Sequence, residues 1–174
     1  MFDIKFQDTD TTQKYVWQNS WGFTTRSIGI MLMNHGDDKG AIIPPNVADI
    51  QIVIIPILIK KRTEDVNKKC QELLETLMNN GFRVQYDNKN HNPGWKFNYW
   101  ETQGVPLRIE IGPKDVDNNT ITVCKRIDFK KTVIGNDSNI TVQIKTLLDE
   151  IHNELYNKAN NELMSHIKTP LSEN

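Results

Sequence analysis

The sequence predicts an α/β domain, a mixed β-sheet flanked by helices, with a short separate unit ahead of it. Three observations carry that prediction. Ile50–Ile59 (IQIVIIPILI) is apolar without alternation, the pattern of a strand covered on both faces. Val66, Cys70, Leu73, Leu74 and Leu77 then recur at helical spacing. Pro106–Ile111 alternates strictly, with Leu107, Ile109 and Ile111 on one face and Arg108 and Glu110 on the other. The order β-α-β-α-β-β-α that these segments belong to is one that folds as a mixed sheet with helices packed on it.

Each element has its own signal. Met1–Gln13 is polar and has no usable period. From Tyr15 the pattern is strand-like and then becomes a continuous apolar run, Ile28–Met33. Such a run is a buried strand or a buried turn of helix, and its period does not decide between them. Asn34–Gly40 (NHGDDKG) is turn chemistry, and Pro44-Pro45 enforces an extended connector. A boundary is expected there, giving residues 1–45 as one unit, 46–165 as the α/β domain and 166–174 as a tail. Pro56 sets the end of the first domain strand at an edge or bulge. Thr63 is the expected N-cap of the helix that follows, with Glu64 and Asp65 in the first turn where the helix dipole favours acids. Gly81 stops that helix. Phe82–Tyr86 alternates as a short strand, and Pro93–Gln103 makes a short helix closed by Gly104. Gly112-Pro113 ends the next strand, and Asp117-Asn118-Asn119 turns the chain into Thr120–Arg126, which alternates again. Ile144, Leu147, Leu148, Ile151, Leu155 and Ala159 mark a long amphipathic helix that frays past Ser165.

Composition narrows the function classes. Of 174 residues, 21 are Lys or Arg and 22 are Asp or Glu, so no global basic field draws nucleic acid to the chain. Any RNA contact must come from a local patch. Cys70 and Cys124 are far apart and form no CxxC, which fits a reduced pair of buried thiols. There is no 18-residue apolar stretch, and Met1–Tyr15 lacks the regions of a signal peptide, so a soluble cytoplasmic protein with no membrane partner is expected. His35-Gly36-Asp37-Asp38 puts imidazole and carboxylates together, but its glycines suit a tight turn. Asp37 and Asp38 read as turn residues, and no metal site is expected.

One segment concentrates chemistry. In Trp95–Arg108 (WKFNYWETQGVPLR) the aromatics Trp95, Phe97, Tyr99 and Trp100 crowd a short helix beyond what one buried face absorbs. Phe97 and Glu101 lie four apart and share a helix face, and Arg108 emerges on the polar face of the next strand. An aromatic ring, a carboxylate and a guanidinium can together read unpaired bases, by stacking and by contacts to base edges. The same residues also make sense as a core helix whose Glu101 simply pairs with Arg108 at the surface.

The run KFNYWETQGVPLRIEIGPKD resembles the anticodon-reading segment of class IIa aminoacyl-tRNA synthetases in the version that prolyl-tRNA synthetases carry. The resemblance implies anticodon contacts from Phe97, Glu101 and Arg108, and from a lysine after the next strand, Lys130 or its neighbour Lys131, with Lys130 preferred. Proline anticodons carry guanine at their second and third positions, and guanine's N1–H and exocyclic amine are donors that suit a Glu acceptor. Upstream, WQNSWGFTTRSIGIMLMNHGDDKGAIIPP (Trp17–Pro45) resembles the last signature segment of the same family's active site. That resemblance implies a proline pocket lined by Ser20, Trp21 and Gly22 and an ATP site contacted by Thr24 and Arg26, the arginine gripping phosphate oxygens with a rigid fork.

The resemblance covers about Tyr15–Ala159 and points to the eukaryotic and archaeal-like branch. It implies the end of a class II catalytic domain followed by an anticodon-binding domain. The whole enzyme, a homodimer in this family, would use ATP and Mg²⁺ to activate proline and join it to proline tRNA. The two earlier signature motifs of that catalytic unit do not fit before Trp17, so this chain is expected to bind tRNA without catalysing and to hold no cofactor. With only two unclustered cysteines, no zinc is expected. The rival is a freestanding RNA-binding accessory module with the same fold, which would have no use for Trp17–Arg26. A small α/β enzyme with its own nucleotide site would need a Gly-rich phosphate loop after the first strand, and there is none.

Overall fold

In the computed structural model, which describes residues 2–59 and 62–168, the chain opens on a two-stranded antiparallel hairpin. Its strands, β1 (Lys5–Gln7) and β2 (Gln13–Tyr15), are exposed throughout, which is why no apolar period marks them. The apolar run that sequence left open between strand and helix is helical: α1 spans Arg26–His35. No residue of α1 is buried, and its Ile28, Ile30, Leu32 and Met33 face solvent, as do Trp17, Trp21 and Phe23 before it.

The domain proper begins with β3 (Ile52–Pro56), every residue of it buried. Pro56 is the last residue of the strand, and the ladder continues past it through Ile57 N–H to Ile111 O at 2.8 Å, so the lost donor falls where the strand ends. Helix α2 (Thr63–Asn79) follows. Its N-cap is Arg62, not Thr63, which is the first helical residue and turns its hydroxyl to Ile59 O at 3.4 Å. Arg62 instead pairs with Asp65 and Asp117. Gly81, at φ 82°, takes the left-handed step that ends the helix. Then come β4 (Val84–Tyr86), α3 (Pro93–Gln103), β5 (Leu107–Ile111), α4 (Pro113–Asn118), β6 (Thr120–Lys125), β7 (Lys131–Gly135) and α5 (Ile140–His166). Two of these correct the sequence reading: the six-residue α4 where only a stop and a turn were expected, and the edge strand β7 after Lys130. Helix α5 starts four residues before Ile144, and residues 169–174 of the expected tail lie outside the described residues.

The sheet runs β4-β3-β5-β6-β7, with β3 parallel to β4 and β5 and the β5-β6-β7 pairs antiparallel. One face carries the main core, where Leu107, Ile109, Ile111, Ile121 and Val123 pack on α2 and α5. Burial of such side chains is worth about 1.5–3 kcal/mol each against exposure. The other face holds a small cluster of Val53, Ile55, Trp100 and Val105 under α3. Cross-strand register places Arg108 beside Cys124 and Cys124 beside Lys131 on that second face. The alternation of β5 therefore delivers Arg108 and Glu110 to the side that α3 covers incompletely, where Lys131 and Val133 of β7 remain exposed.

Candidate nucleic-acid interface

Helix α3 is fixed at both ends and along its buried side. Asn92 caps it by accepting the Trp95 N–H at 2.8 Å, and Pro93 occupies the first turn where its missing N–H costs nothing. Gly104, at φ 76°, closes it with N–H bonds from Gly104 to Glu101 O and from Val105 to Trp100 O. Beneath it, buried Asp87 accepts the Trp100 Nε1–H at 2.7 Å, while Lys96 donates to Asp87 O at 2.8 Å and lies 3.6 Å from its carboxylate. A buried ion pair of this kind survives only because each polar atom finds a partner. It sets the rotation of α3, and so which side chains flank the sheet.

With that rotation Phe97 and Glu101 lean over β5, and Arg108 rises to meet them. Its Nη1–H donates to Glu101 Oε1 at 2.5 Å and its Nε–H to Glu110 Oε1 at 3.1 Å. The guanidinium carbon lies 4.1 Å from the Phe97 ring centroid, within cation–π range. Side-chain exposures of 9% for Arg108, 18% for Glu101 and 11% for Glu110 make this a half-sequestered cluster rather than a solvated surface pair. Lys131 completes it, donating to Glu110 Oε2 at 2.7 Å with its ammonium 5.3 Å from the Phe97 ring. Lys130 does not reach the cluster: its side chain is exposed, and its backbone N–H caps the turn through Asp128 Oδ1.

Two cations and two carboxylates leave the cluster formally neutral, so it offers no general anion site. What it offers is paired donors and acceptors beside an aromatic ring. Among the described residues, Oε2 of Glu101 and Nη2 of Arg108 have no partner. One free acceptor and one free donor group thus stand beside Phe97, the pattern that base-edge recognition requires.

A further ion pair borders the site. Arg126, 1% exposed, forks onto Asp37 at 2.8 and 2.6 Å and donates its Nε–H to Glu101 O at 2.8 Å. Asp37 forms the turn that sequence assigned to it, through Asp37–Gly40 backbone bonds, and pairs across the fold as well. The Arg126 guanidinium holds its carboxyl down at about 2. Lys131 was named only as the alternative to Lys130, and Glu110, Asp87, Lys96 and Arg126 were not singled out by sequence. Only Glu110 had a usable signal, its place on the Arg108 face of an alternating strand.

The residues Ser20, Trp21, Gly22, Thr24 and Arg26 lie apart from this cluster. All five are exposed, and Arg26 opens α1 with its N–H 3.3 Å from Thr24 Oγ1. Among the described residues no hydrogen bond or ion pair joins them to Phe97, Glu101, Arg108 or Lys131. No helix among the described residues is long and apolar enough to cross a membrane, and no group of three or more His, Cys, Asp or Glu side chains gathers there as a metal site would need.

Residues 51–154 match the family described as "Anticodon binding domain", a segment that runs from β3 into the middle of α5 and takes in the whole cluster. The chain belongs to the anticodon binding domain family. Around this anticodon binding domain the similarity runs further. A proline–tRNA ligase of Natranaerobius thermophilus is 43% identical over 99% of the chain, which spans 35% of that relative. The cytoplasmic proline–tRNA ligase of Arabidopsis thaliana is 41% identical over 91% of the chain and 30% of its own length. A bifunctional glutamate/proline–tRNA ligase of Drosophila melanogaster is 42% identical over 97% of the chain, which spans only 10% of it. The chain thus spans about a third or less of the length of these relatives, and the match takes in the Trp17–Pro45 segment as well as the anticodon binding domain.

Proposed function

We propose that the chain reads the anticodon of proline tRNA as part of a proline–tRNA ligase. The observation that carries this reading is the Phe97–Glu101–Arg108–Lys131 cluster, lying inside the matched family segment with a carboxylate oxygen and a guanidinium nitrogen that are unpaired among the described residues, beside a ring. In this reading Phe97 stacks on an unpaired anticodon base. Glu101 Oε2 accepts from guanine N1–H or the exocyclic amine, and Arg108 Nη2 donates to guanine O6 or N7. Lys131 orients Glu110 and the ring, and Lys130, exposed on the β6–β7 hairpin, takes a phosphate. The neutrality of the cluster supports discrimination by base edge over attraction by charge.

The further activity follows as a proposal of the same kind. The parent ligase would activate proline with ATP and Mg²⁺, with Ser20, Trp21 and Gly22 on the amino acid and Thr24 and Arg26 on the nucleotide. The exposure of Trp17, Trp21, Phe23 and the apolar side chains of α1 supports a wall that another part of the enzyme covers. A freestanding accessory module is not favoured, because the similarity to ligases extends through that wall. A cytoplasmic homodimer is the setting we assign to the parent enzyme.

The test compares binding of the chain to a proline anticodon stem-loop and to the same stem-loop with both anticodon guanines replaced. The reading predicts that replacement weakens binding by about 10-fold or more, each lost base contact being worth about 1–3 kcal/mol. Equal affinity for the two RNAs would refute it. Lys130→Ala should weaken both RNAs alike and flatten the salt dependence, as loss of a phosphate contact does.

A further inference from the structure

The cluster stands on the last turn of α3, and groups from outside the helix hold the carbonyls of that turn. Thr102 O accepts the Ala41 N–H at 3.1 Å, and Gly104 O accepts the Ile43 N–H at 3.2 Å. Glu101 O accepts from Gly104 N–H and from Arg126 Nε–H, so a cation sits at the negative end of the helix dipole. The connector that supplies Ala41 and Ile43 is seated by direct backbone contact. A Cβ on Gly40 (φ 133°) would meet Thr102 at 2.7 Å, and one on Gly104 (φ 76°) would meet Ala41 at 2.6 Å.

Arg126 locks this seat from below. It reaches across 89 residues of sequence to Asp37, on the turn that follows α1, while bonding the backbone of Glu101. Phe129, in the left-handed region at φ 56°, places its ring 5.1 Å from the guanidinium and 3.9 Å from the Lys39 ammonium. One buried cation thus joins the connector turn, the end of α3 and the β6–β7 hairpin. An apolar side chain would fill the same space without joining any of them.

We propose that Arg126 is a positioning residue for base recognition: it fixes the backbone of Glu101 against the Asp37 turn, so that discrimination between anticodons depends on how the connector is seated on α3. At 1% exposure it touches no base and acts through Glu101. The proposal rests on the reading of the cluster as the anticodon site. It also makes the turn after α1, the helix that starts at Arg26, part of the same mechanical unit as the base-reading residues.

The experiment measures affinity for the proline anticodon stem-loop and its guanine-replaced counterpart in the wild-type chain, Arg126→Met, Asp37→Ala, the double variant and Glu101→Gln, with folding followed by circular dichroism. Arg126→Met and Asp37→Ala are each expected to lower the cognate-to-replaced affinity ratio by about 5- to 10-fold, in the range that coupled contacts show. The double variant should fall no further than the worse single one, because both act on one link. Should Arg126→Met fail to fold, Asp37→Ala, whose side chain is 35% exposed, decides by itself. An unchanged ratio in Arg126→Met and Asp37→Ala, equal weakening of both RNAs, or additive losses would each overturn the positioning role while Glu101→Gln still lost discrimination. If Glu101→Gln also kept the wild-type ratio, the anticodon reading itself would fall.

Discussion

Replacing Arg108 with alanine is expected to cost stability as well as any contact to RNA. The guanidinium is 9% exposed and serves two carboxylates that are themselves 18% and 11% exposed. Removing one partner from a buried ion pair costs about 3–5 kcal/mol, because the other charge stays desolvated. Two features lower that figure here: Lys131 stays on Glu110 at 2.7 Å, and Glu101 keeps enough exposure to take up water. The lost contact with the Phe97 ring at 4.1 Å raises it, by about 0.5–2 kcal/mol. A net loss of about 2–4 kcal/mol follows, which for a chain of this size lowers Tm by about 4–16 °C. Urea titration checks it directly: the midpoint should fall with an unchanged slope. Arg108→Met combined with Glu101→Gln should recover part of the loss, since fewer charges are then left unpaired. A loss for Arg108→Ala below about 0.5 kcal/mol, the range of ordinary surface substitutions, would mean that the three charges are solvated and the cluster is not as described.

Other consequences can be checked on the same protein. Asp37 has its carboxyl depressed from 3.8 to about 2 by Arg126, so its contribution is present above about pH 4 and lost as pH falls through about 2. The stability gap between wild type and Asp37→Asn should narrow over that window, and a gap that stays constant on acidification would contradict the pairing. Gly104→Ala combines a left-handed backbone with a 2.6 Å approach to Ala41 and should cost about 1–3 kcal/mol in thermal or urea unfolding; a neutral effect would contradict the seating of the connector on α3. Burial pushes the Cys70 thiol up to about 12 and also raises that of Cys124, so both should resist thiol reagents at neutral pH until the chain is unfolded. Rapid labelling of the native protein at either position would show that the core opens more readily than its packing implies.

The domain was legible where burial imposes a period. The apolar run around Ile54, the helical spacing from Val66 to Leu77 and the alternation of Leu107–Ile111 each mark a covered face, and each forms the element expected. Helix α3 was legible down to its ends because Pro93 and Gly104 punctuate it. What escaped lies at the surface or across long separations. Strand β7 is half exposed, with Thr132 and Val133 facing solvent, so Lys130 and Lys131 could not be told apart without its register. The hairpin of β1 and β2 buries nothing. Helix α1 is apolar on all sides, so it shows no stripe to read. At the site, Phe97, Glu101 and Arg108 were accessible through helix spacing and strand alternation. Arg126 and Asp37 were not, since a bond that spans 89 residues leaves no local pattern.

The most direct test of base reading at this cluster is Glu101→Gln, which keeps the shape of the side chain and replaces a pure acceptor with a group that is half donor. Affinities for the proline anticodon stem-loop and for its guanine-replaced form should converge in this variant. The loss should fall mainly on the cognate RNA, by about 5- to 150-fold, the equivalent of about 1–3 kcal/mol. If Glu101→Gln discriminates between the two RNAs as well as the wild-type chain does, Glu101 is only the partner of Arg108 and the cluster does not read bases.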